Sequence, residues 1–560
     1  MEKEKELLKG IKLVKLLEFN ILKCKPGILY LESVLTNKNI YSEIEIYAIS
    51  IIGYYYGSRF EYEKAYEWLS KISKQNSEWK LFLDLLTPQL PKTIEDEQNT
   101  VKELEDRLDS LLNFKGLKET TINLTMFNQT FWYSYYLYNP QNVLKKYVDL
   151  QLDLFPSISK QTFDHIQKYP KKDSRIRLGI LSPSLVPNID INHNDIHCSS
   201  ISDSFYPTFK QFSKEKFEII YIYIGRTPQF MFYDNNLFIP ELNPTCECIR
   251  EAQTKIVELN LDILLFLDFH MKPLINFLPL SKLAPIQMCT HGHPITTGLP
   301  KDLMNYFISW EDAEIKDAHK HYTEELVLIS KNMIWEYFIP RNNSDFVSLL
   351  TNKPWGHYTK NTIDFLPSNV RPELNWYFCP QATFKFHITF DIILKNILIK
   401  DPNSIIVLVS YNEALYSLND RHINRLKYLD IDLSRIVFIN KLPHDKLMAM
   451  YNNCNVILDS YFFGGDTTTR EAFEVGAPII TLPSHILGGR WTQAYYKNIG
   501  VTDLIAYNET DYVDLAIKVA TNKEYYTTIK NKIYKNKHKL FRRKEAITNW
   551  ENMFINIKSI

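Results

Sequence analysis

The chain has 560 residues and a formal net charge of zero, because 65 Lys and Arg balance 65 Asp and Glu. This length exceeds one hydrophobic core and predicts about two to four domains. The balanced charge does not indicate a polyanionic partner, so we predict no nucleic-acid binding. No apolar run is long enough to span a membrane, and the charged start MEKEKELLKG lacks the apolar segment of a signal peptide.

The seven cysteines are scattered along the chain. Cys246 and Cys248 are separated by one residue, but no second pair follows at a spacing typical of zinc sites. We therefore predict free thiols in a reducing compartment and no metal site. Together with the absence of a leader and a membrane span, this pattern predicts a cytoplasmic protein.

Residues 1–150 are predicted to form a helical N-terminal domain, since apolar residues recur at three- and four-residue spacing. Residues 43–73 contain two helical segments around a Gly-Ser break and resemble one tetratricopeptide (TPR) hairpin, although an ordinary helical hairpin explains them equally well. Residues 87–100 are polar, contain two prolines and predict a loop. Residues 151–174 are predicted to be a linker.

From Ser174 onward, strand patterns alternate with helical patterns. Residues 175–335 contain RIRLGILSP, FEIIYIYIG, LDILLFLDF and APIQMCT, and residues 371–560 contain NWYFCP, SIIVLVS, SRIVFIN, NVILDS and APIITLP. This alternation predicts parallel α/β sheets. We therefore predict two Rossmann-like halves, joined by an intervening segment at residues 336–370, with a site in the cleft between them.

The strongest functional signal lies between Leu458 and Gly500. Residues 455–459 predict a short buried strand, which is followed by two glycines, three threonines and the helical REAFEVG. A threonine at the first helical position can cap the helix, and the free N–H groups at a helix start bind anions. Two adjacent glycines let a phosphate approach the backbone closely. A plain glycine turn before a capped helix is the alternative interpretation. The candidate contacts for a nucleotide are Gly464, Gly465, Thr467, Thr468 and, for ribose hydroxyls, Glu471.

This stretch resembles the nucleotide-sugar site of the O-GlcNAc transferase and SPINDLY-like glycosyltransferases, especially their bacterial TPR-linked members. Residues 284–309 (APIQMCTHGHPITTGLPKDLMNYFIS) and 377–391 (YFCPQATFKFHITFD) resemble two further blocks of that family. The resemblance extends over roughly residues 175–545. It implies a GT-B fold, in which two Rossmann-like halves face a cleft and a final helix crosses back. The shared positions in the first stretch are Leu458, Asp459, Phe463, Gly464, Gly465, Thr467, Thr468, Glu471, Gly476, Pro478, Thr481, Pro483, Arg490 and Thr492.

The resemblance also implies roles for residues outside that stretch. His293 would contact the donor or orient the acceptor, and His197 would assist proton transfer, with His193 as the alternative in the same loop. Lys385 would stabilise the leaving diphosphate, with Gln381 beside it. Each histidine also has a plain structural interpretation as a packed or solvated loop residue. Weaker candidates are His444, where the animal enzymes have a lysine, Asp268 and Arg490.

The reaction implied by the resemblance is inverting transfer of GlcNAc or another hexose from a nucleotide sugar to a protein side chain or a glycan. The expected donor is UDP-GlcNAc or another UDP-hexose, and a GDP-sugar stays open. No DxD-type motif is evident, so the transfer is expected to be independent of metal ions. The alternatives are an inactive scaffold that binds proteins and a GT-B enzyme of the epimerase type.

Overall fold

The computed structural model describes residues 2–16, 23–114, 116–117, 119, 122–161, 163, 173–185, 188–190, 195–197, 199–225, 236–340, 359–410 and 416–559. Residues 341–358 of the predicted intervening segment lie outside this set, as does the candidate His193.

The N-terminal region is helical. Ser42 and Glu45 form a capping box at the start of α3, and a Cβ atom on Gly53 would lie 2.4 Å from the Leu69 side chain, so α3 and α4 pack closely as a hairpin. The predicted loop at residues 87–100 is wrong in its second half, because Thr93 caps α6 and acidic residues in the first turn favour the helix dipole. The helices are α1 Glu2–Leu16, α2 Lys25–Val34, α3 Glu43–Ser58, α4 Tyr62–Leu69, α5 Ser77–Leu85, α6 Ile94–Leu112, α7 Thr130–Tyr133, α8 Pro140–Leu154 and α9 Pro156–Ser159.

The first sheet has seven parallel strands in the order β5-β4-β1-β6-β7-β8-β9. Its order reverses between β1 and β6, which is the switch point where ligands bind in such sheets. A small antiparallel hairpin, β2 with β3, lies outside it. Strands β5, β8 and β9 were not predicted from the sequence. The elements are β1 Ile176–Leu181, β2 Asn188–Asp190, β3 Asp195–His197, α10 Ser200–Phe209, β4 Phe217–Gly225, β5 Asn236–Pro240, α11 Cys246–Val257, β6 Ile263–Phe266, β7 Ile286–Thr290, β8 Tyr306–Trp310 and β9 Glu325–Ile329.

The second sheet has five parallel strands in the order β12-β11-β10-β13-β14, and its switch point lies between β10 and β13. Its central strands are buried on both faces, which explains their continuous apolar sequences. The elements are β10 Asn375–Ala382, α12 Ile388–Lys400, β11 Ser404–Ser410, α13 Tyr416–Tyr428, β12 Ile436–Asn440, α14 His444–Asn453, β13 Val456–Leu458, α15 Thr467–Glu474, β14 Ile479–Ile480, α16 Trp491–Ile499, α17 Glu509–Thr521, α18 Lys523–Asn536 and α19 Lys544–Ser559.

The two sheets are separate, which confirms the predicted GT-B arrangement of two Rossmann-like halves. The last helix, α19, returns to the N-terminal half. Its Trp550 Nε1 donates to the Trp335 carbonyl at 2.7 Å, and its Lys558 forms an ion pair with Asp262 at 2.7 Å. The halves also meet through the stacked rings of Trp335 and Trp491, whose centroids are 5.5 Å apart.

None of the described helices is long and apolar enough to cross a membrane. Six of the seven cysteines lie in the described part of the chain, and these six are free thiols.

Candidate functional site

A cavity of about 350 Å³, which we call the cleft cavity, lies between the two halves at the carboxyl edges of both sheets. Residues after β7, at the end of β10 and at the start of α15 line it. A short run of aromatic residues from the helical region closes it on one side. Six of the candidates from the sequence line the cleft cavity: His293, Gln381, Lys385, Gly464, Thr467 and Thr468.

A chain of hydrogen bonds forms the C-terminal wall of the cleft cavity. Lys385 Nζ donates to Gln381 Oε1 at 3.0 Å, and Gln381 Nε2 donates to Thr468 Oγ1 at 2.5 Å. The amide of Gln381 therefore has a fixed orientation, and the Thr468 hydroxyl keeps its own proton as a donor. The wall presents an ammonium group and a hydroxyl donor, both bonded to the same amide, and this is a suitable pair for phosphate oxygens.

Lys385 is partly buried, and its Nζ lies 4.9 Å from the centre of the Phe463 ring. Burial lowers the pKa of Lys385 to about 8, although the carboxylates of Asp459 and Asp466 favour its charged form. An anionic ligand would favour the ammonium form further, so ligand binding and protonation of Lys385 support each other.

Asp459 and the two glycines form a tightly packed polar turn. Asp459 Oδ1 accepts from the Gly465 N–H at 2.7 Å, and Oδ2 accepts from the Thr481 hydroxyl at 2.8 Å. A Cβ atom on Gly464 would lie 2.7 Å from Asp459 Oδ1, and one on Gly465 would lie 2.4 Å from Thr468 Oγ1. The turn therefore excludes larger residues at both positions, because a side chain would displace its hydrogen-bonding groups.

The start of α15 differs from the predicted threonine cap. Asp466 is the N-cap residue, and its side chain makes no capping hydrogen bond. Instead, its carboxylate accepts from the Tyr495 hydroxyl and from Arg470 Nη2, the latter at 3.2 Å. Thr467 and Thr468 line the cleft cavity, whereas the Thr469 hydroxyl donates to the Gly465 carbonyl. The positive end of the helix dipole thus faces the cleft cavity without a side-chain cap.

His293 lies on the opposite wall. It is buried, its ring stacks on Phe131 at 5.0 Å and 17°, and it forms a hydrogen bond with the Phe131 backbone. Its Nε2 has no hydrogen-bond partner among the described residues. Burial, followed by the charge of His270, holds the pKa of His293 well below its usual range. The imidazole is therefore neutral near pH 7.

His291 and Glu336 form a buried pair that the sequence analysis did not find. His291 lines the cleft cavity, and its Nε2 lies 3.4 Å from Glu336 Oε1. Neither carboxyl oxygen of Glu336 has a hydrogen-bond partner in the described part of the chain. Burial raises the pKa of Glu336 well above its usual range and lowers that of His291 well below it, so the pair is neutral.

Two of the predicted donor residues lie next to the cleft cavity without lining it. Glu471 is buried one turn inside α15, and its Oε1 lies 3.6 Å from Nε2 of His444, the first residue of α14. The structure therefore brings these two candidates together. Their predicted contacts with the nucleotide stay predictions.

The remaining candidates lie elsewhere. Arg490 Nε donates to the Ala313 carbonyl at 2.7 Å, so its guanidinium ties the two halves together and does not line the cleft cavity. Asp268 accepts from the Ser184 hydroxyl at 2.7 Å, and burial raises its pKa to about 6. The backbone of His197 lies in β3 opposite Asn188, but its side chain lies outside the described residues.

The cleft cavity also contains aromatic residues that the sequence analysis did not propose. Phe131 and Tyr135 come from residues 130–138 (TFWYSYYLY), which we call the aromatic segment. Phe205 and Trp491 line the cleft cavity as well. The density of aromatic residues in the aromatic segment was the only local signal for its involvement.

Comparison with known proteins gives a consistent set of similarities. Residues 381–549 match the model of Glycosyl transferase family 41. A Petunia hybrida protein, named as a probable UDP-N-acetylglucosamine–peptide N-acetylglucosaminyltransferase SPINDLY, is 25% identical over 278 residues, which are 49% of this chain and 27% of that protein. A Caenorhabditis elegans UDP-N-acetylglucosamine–peptide N-acetylglucosaminyltransferase is 27% identical over 104 residues, or 19% of this chain and 9% of that protein.

Among solved structures, a mutant of the Thermobaculum terrenum O-GlcNAc transferase superposes with a TM-score of 0.63 at 16% identity. The match covers 100% of this chain and 97% of that one, which shows that the fold is shared. The chain itself spans about a quarter of the length of the Petunia hybrida relative.

Proposed function

We propose that this chain is a glycosyltransferase that modifies proteins, because residues 381–549 match the model of Glycosyl transferase family 41 and the chain is similar to SPINDLY-type relatives. The donor is a nucleotide sugar, UDP-GlcNAc or another UDP-hexose, and the acceptor is a protein side chain or a glycan. The observation that carries this proposal is the cleft cavity itself. It is lined by the Lys385–Gln381–Thr468 chain and by His293, whose Nε2 has no hydrogen-bond partner among the described residues.

The C-terminal wall binds the diphosphate of the donor. Lys385 provides a charge-assisted hydrogen bond, and Thr468 and the start of α15 provide neutral donors and a positive dipole. These groups also stabilise the negative charge that grows on the diphosphate as it leaves. They provide the charge compensation that some transferases obtain from a metal ion, so this transfer needs no metal.

The transfer is a single displacement with inversion. The acceptor oxygen or nitrogen attacks the anomeric carbon, the bond from that carbon to the phosphate oxygen breaks, and the nucleoside diphosphate leaves. The acceptor loses its proton during the attack. His293 Nε2 accepts a hydrogen bond from the acceptor or the sugar and so orients that group. Because the pKa of His293 is lowered, its imidazole is a weak base for the proton that the acceptor loses. His197 is the candidate for the proton transfer.

Incubation of the protein with a panel of nucleotide sugars tests the proposal. We expect release of one nucleoside diphosphate, increased by added protein acceptors, unchanged by a chelator and strongly reduced in Lys385→Ala. The product should carry the anomeric configuration opposite to that of the donor. An inactive scaffold would bind the donor without releasing nucleoside diphosphate, and an epimerase-type enzyme would release it without any acceptor becoming glycosylated.

A further inference from the structure

The aromatic segment belongs to the helical N-terminal region, but it reaches into the cleft cavity. The ring of Phe131 stacks on His293, which comes from the N-terminal half. The ring of Tyr135 lies edge-on to Phe463 at 4.8 Å and to Phe384 at 5.3 Å, both of which come from the C-terminal half. One short segment therefore contacts both walls of the cleft cavity.

Hydrogen bonds at both ends fix the aromatic segment in this place. At its start, Asn276 Nδ2 of the N-terminal half donates to Thr130 Oγ1 at 3.2 Å. At its end, His485 Nε2 of the C-terminal half lies 2.7 Å from the Tyr138 carbonyl. The segment cannot leave the cleft cavity without breaking bonds to both halves, so it forms a third wall.

The lining of the cleft cavity combines polar groups with aromatic rings. Lys385 and Thr468 provide polar groups, and Phe131 and Tyr135 provide aromatic rings. A nucleotide sugar offers both kinds of surface, because its charged diphosphate is joined to a hexose whose C–H faces are apolar. Aromatic walls with few polar groups are typical of pockets that enclose such ligands.

We propose that Phe131 and Tyr135 bind the hexose of the donor, so that the helical N-terminal region takes part directly in donor recognition. This inference rests on the proposed function. The backbone and the ring of Phe131 also hold His293, whose Nε2 has no partner among the residues that the structure describes. The same residue therefore packs against the sugar and positions the imidazole that contacts it.

The test compares Phe131→Ala and Phe131→Leu with Tyr138→Ala. Tyr138 lies in the same segment and stacks on His485 at 5.0 Å, but it does not line the cleft cavity, so it is a matched control. Binding of UDP and UDP-GlcNAc, and of GDP and GDP-fucose, is measured for each protein. Saturation-transfer NMR separately measures the contact of the hexose protons and of the base protons.

We expect all three variants to bind the nucleoside diphosphate within about twofold of the parent, as for a residue that does not contact it. Both Phe131 variants should bind the matching nucleotide sugar about threefold to tenfold more weakly, as expected for loss of one aromatic contact. Their hexose signal should fall relative to the base signal. Tyr138→Ala should behave as the parent does, and Phe131→Leu should stay folded because it keeps an apolar side chain.

Parent-like donor affinity and hexose signal in both Phe131 variants would overturn the inference and leave the proposed function intact. An equal loss of nucleoside diphosphate and nucleotide-sugar affinity would also overturn it, since that result indicates a general structural effect. If the parent protein binds none of the four ligands, the proposed function fails, and the inference fails with it.

Discussion

The two walls of the cleft cavity differ in how they are built. The C-terminal wall is a connected polar network, in which Lys385, Gln381 and Thr468 are hydrogen-bonded to one another. The opposite side contains His293, whose ring stacks on Phe131 of the aromatic segment and whose Nε2 has no partner in the described part of the chain. A wall with many fixed donors is suited to binding a charged group tightly. A wall with one free acceptor among apolar rings is suited to positioning a reacting group.

We therefore expect substitutions on the two sides of the cleft cavity to differ in how they change nucleotide affinity and turnover. Substitutions in the C-terminal wall should weaken nucleotide binding and transfer together, because their contacts exist before and during the reaction. Substitutions of His293 should act mainly on turnover, because a hydrogen bond to the reacting group matters most in the transition state.

The largest effect is expected for His293→Ala. Turnover should fall about 100-fold or more, because loss of the orienting hydrogen bond displaces the acceptor or the sugar from the reactive geometry. Affinity for the nucleoside diphosphate should stay within about twofold, since His293 lies on the other wall. Steady-state transfer and calorimetric titration measure the two quantities, and His293→Gln, which keeps an acceptor atom, is the control. For His197→Ala we likewise expect a large loss of turnover and little change in affinity for the nucleoside diphosphate. Transfer at the parent rate by both alanine variants would remove both histidines from the mechanism.

Lys385→Ala should have the next largest effect. It removes a charge-assisted hydrogen bond worth about 1.5–3 kcal/mol, which corresponds to a loss of about tenfold or more in affinity for the nucleoside diphosphate and in transfer. Lys427→Ala, which changes an exposed lysine of α13 outside the cleft cavity, is the matched control and should bind as the parent does. Unchanged nucleotide binding in folded Lys385→Ala would show that the polar wall does not hold the diphosphate.

The pH dependence of binding should be smaller and should depend on the same lysine. The pKa of Lys385 is about 8 in the free protein, so the ammonium group is lost as the pH rises through that value. Nucleoside diphosphate affinity should therefore decline above about pH 8 by up to tenfold, and the decline should be absent in Lys385→Arg, because a guanidinium stays charged. Titrations between about pH 6.5 and pH 9.5 test this. Parallel curves for the two proteins would assign the decline to another group.

Much of the C-terminal wall could be predicted from the sequence, because it is local. Gly464, Gly465, Thr467 and Thr468 follow one strand and open one helix, so strand and helix patterns place them together at the sheet edge. The cap of α15 was predicted wrongly. The carboxylate of Asp466 accepts hydrogen bonds from Arg470 and Tyr495 instead of capping the helix. Tyr495 lies on another helix, so the local sequence pattern does not show its contact with Asp466.

The aromatic wall could not be predicted in the same way. Phe131 and Tyr135 precede both sheets in the chain, and only tertiary packing brings them to His293 and Phe463. The sequence places Glu336 in the intervening segment and predicts no role for it, whereas its Oε1 lies 3.4 Å from His291 Nε2. The periodicity of strands β8 and β9 does not distinguish them from the surrounding loops.

The smallest expected effect is on stability, and it contrasts two buried carboxyl groups, those of Asp459 and Glu336. Asp459 accepts hydrogen bonds from the Gly465 N–H and the Thr481 hydroxyl, whereas neither carboxyl oxygen of Glu336 has a hydrogen-bond partner among the described residues. Because the pKa of Glu336 is raised in the folded protein, its carboxyl group ionises at a lower pH in the unfolded chain. Above about pH 4.5 this residue therefore lowers the free energy of unfolding, and the loss of stability grows as the pH rises.

Glu336→Met keeps an unbranched side chain of similar size and removes that cost. We expect it to be more stable than the parent by about 1 kcal/mol near pH 7, with the difference shrinking toward pH 4.5. Thermal unfolding of both proteins across this pH range measures the difference. A parent more stable than the variant at pH 7 would mean that the Glu336 carboxylate is ionised and stabilised by His291 as an ion pair.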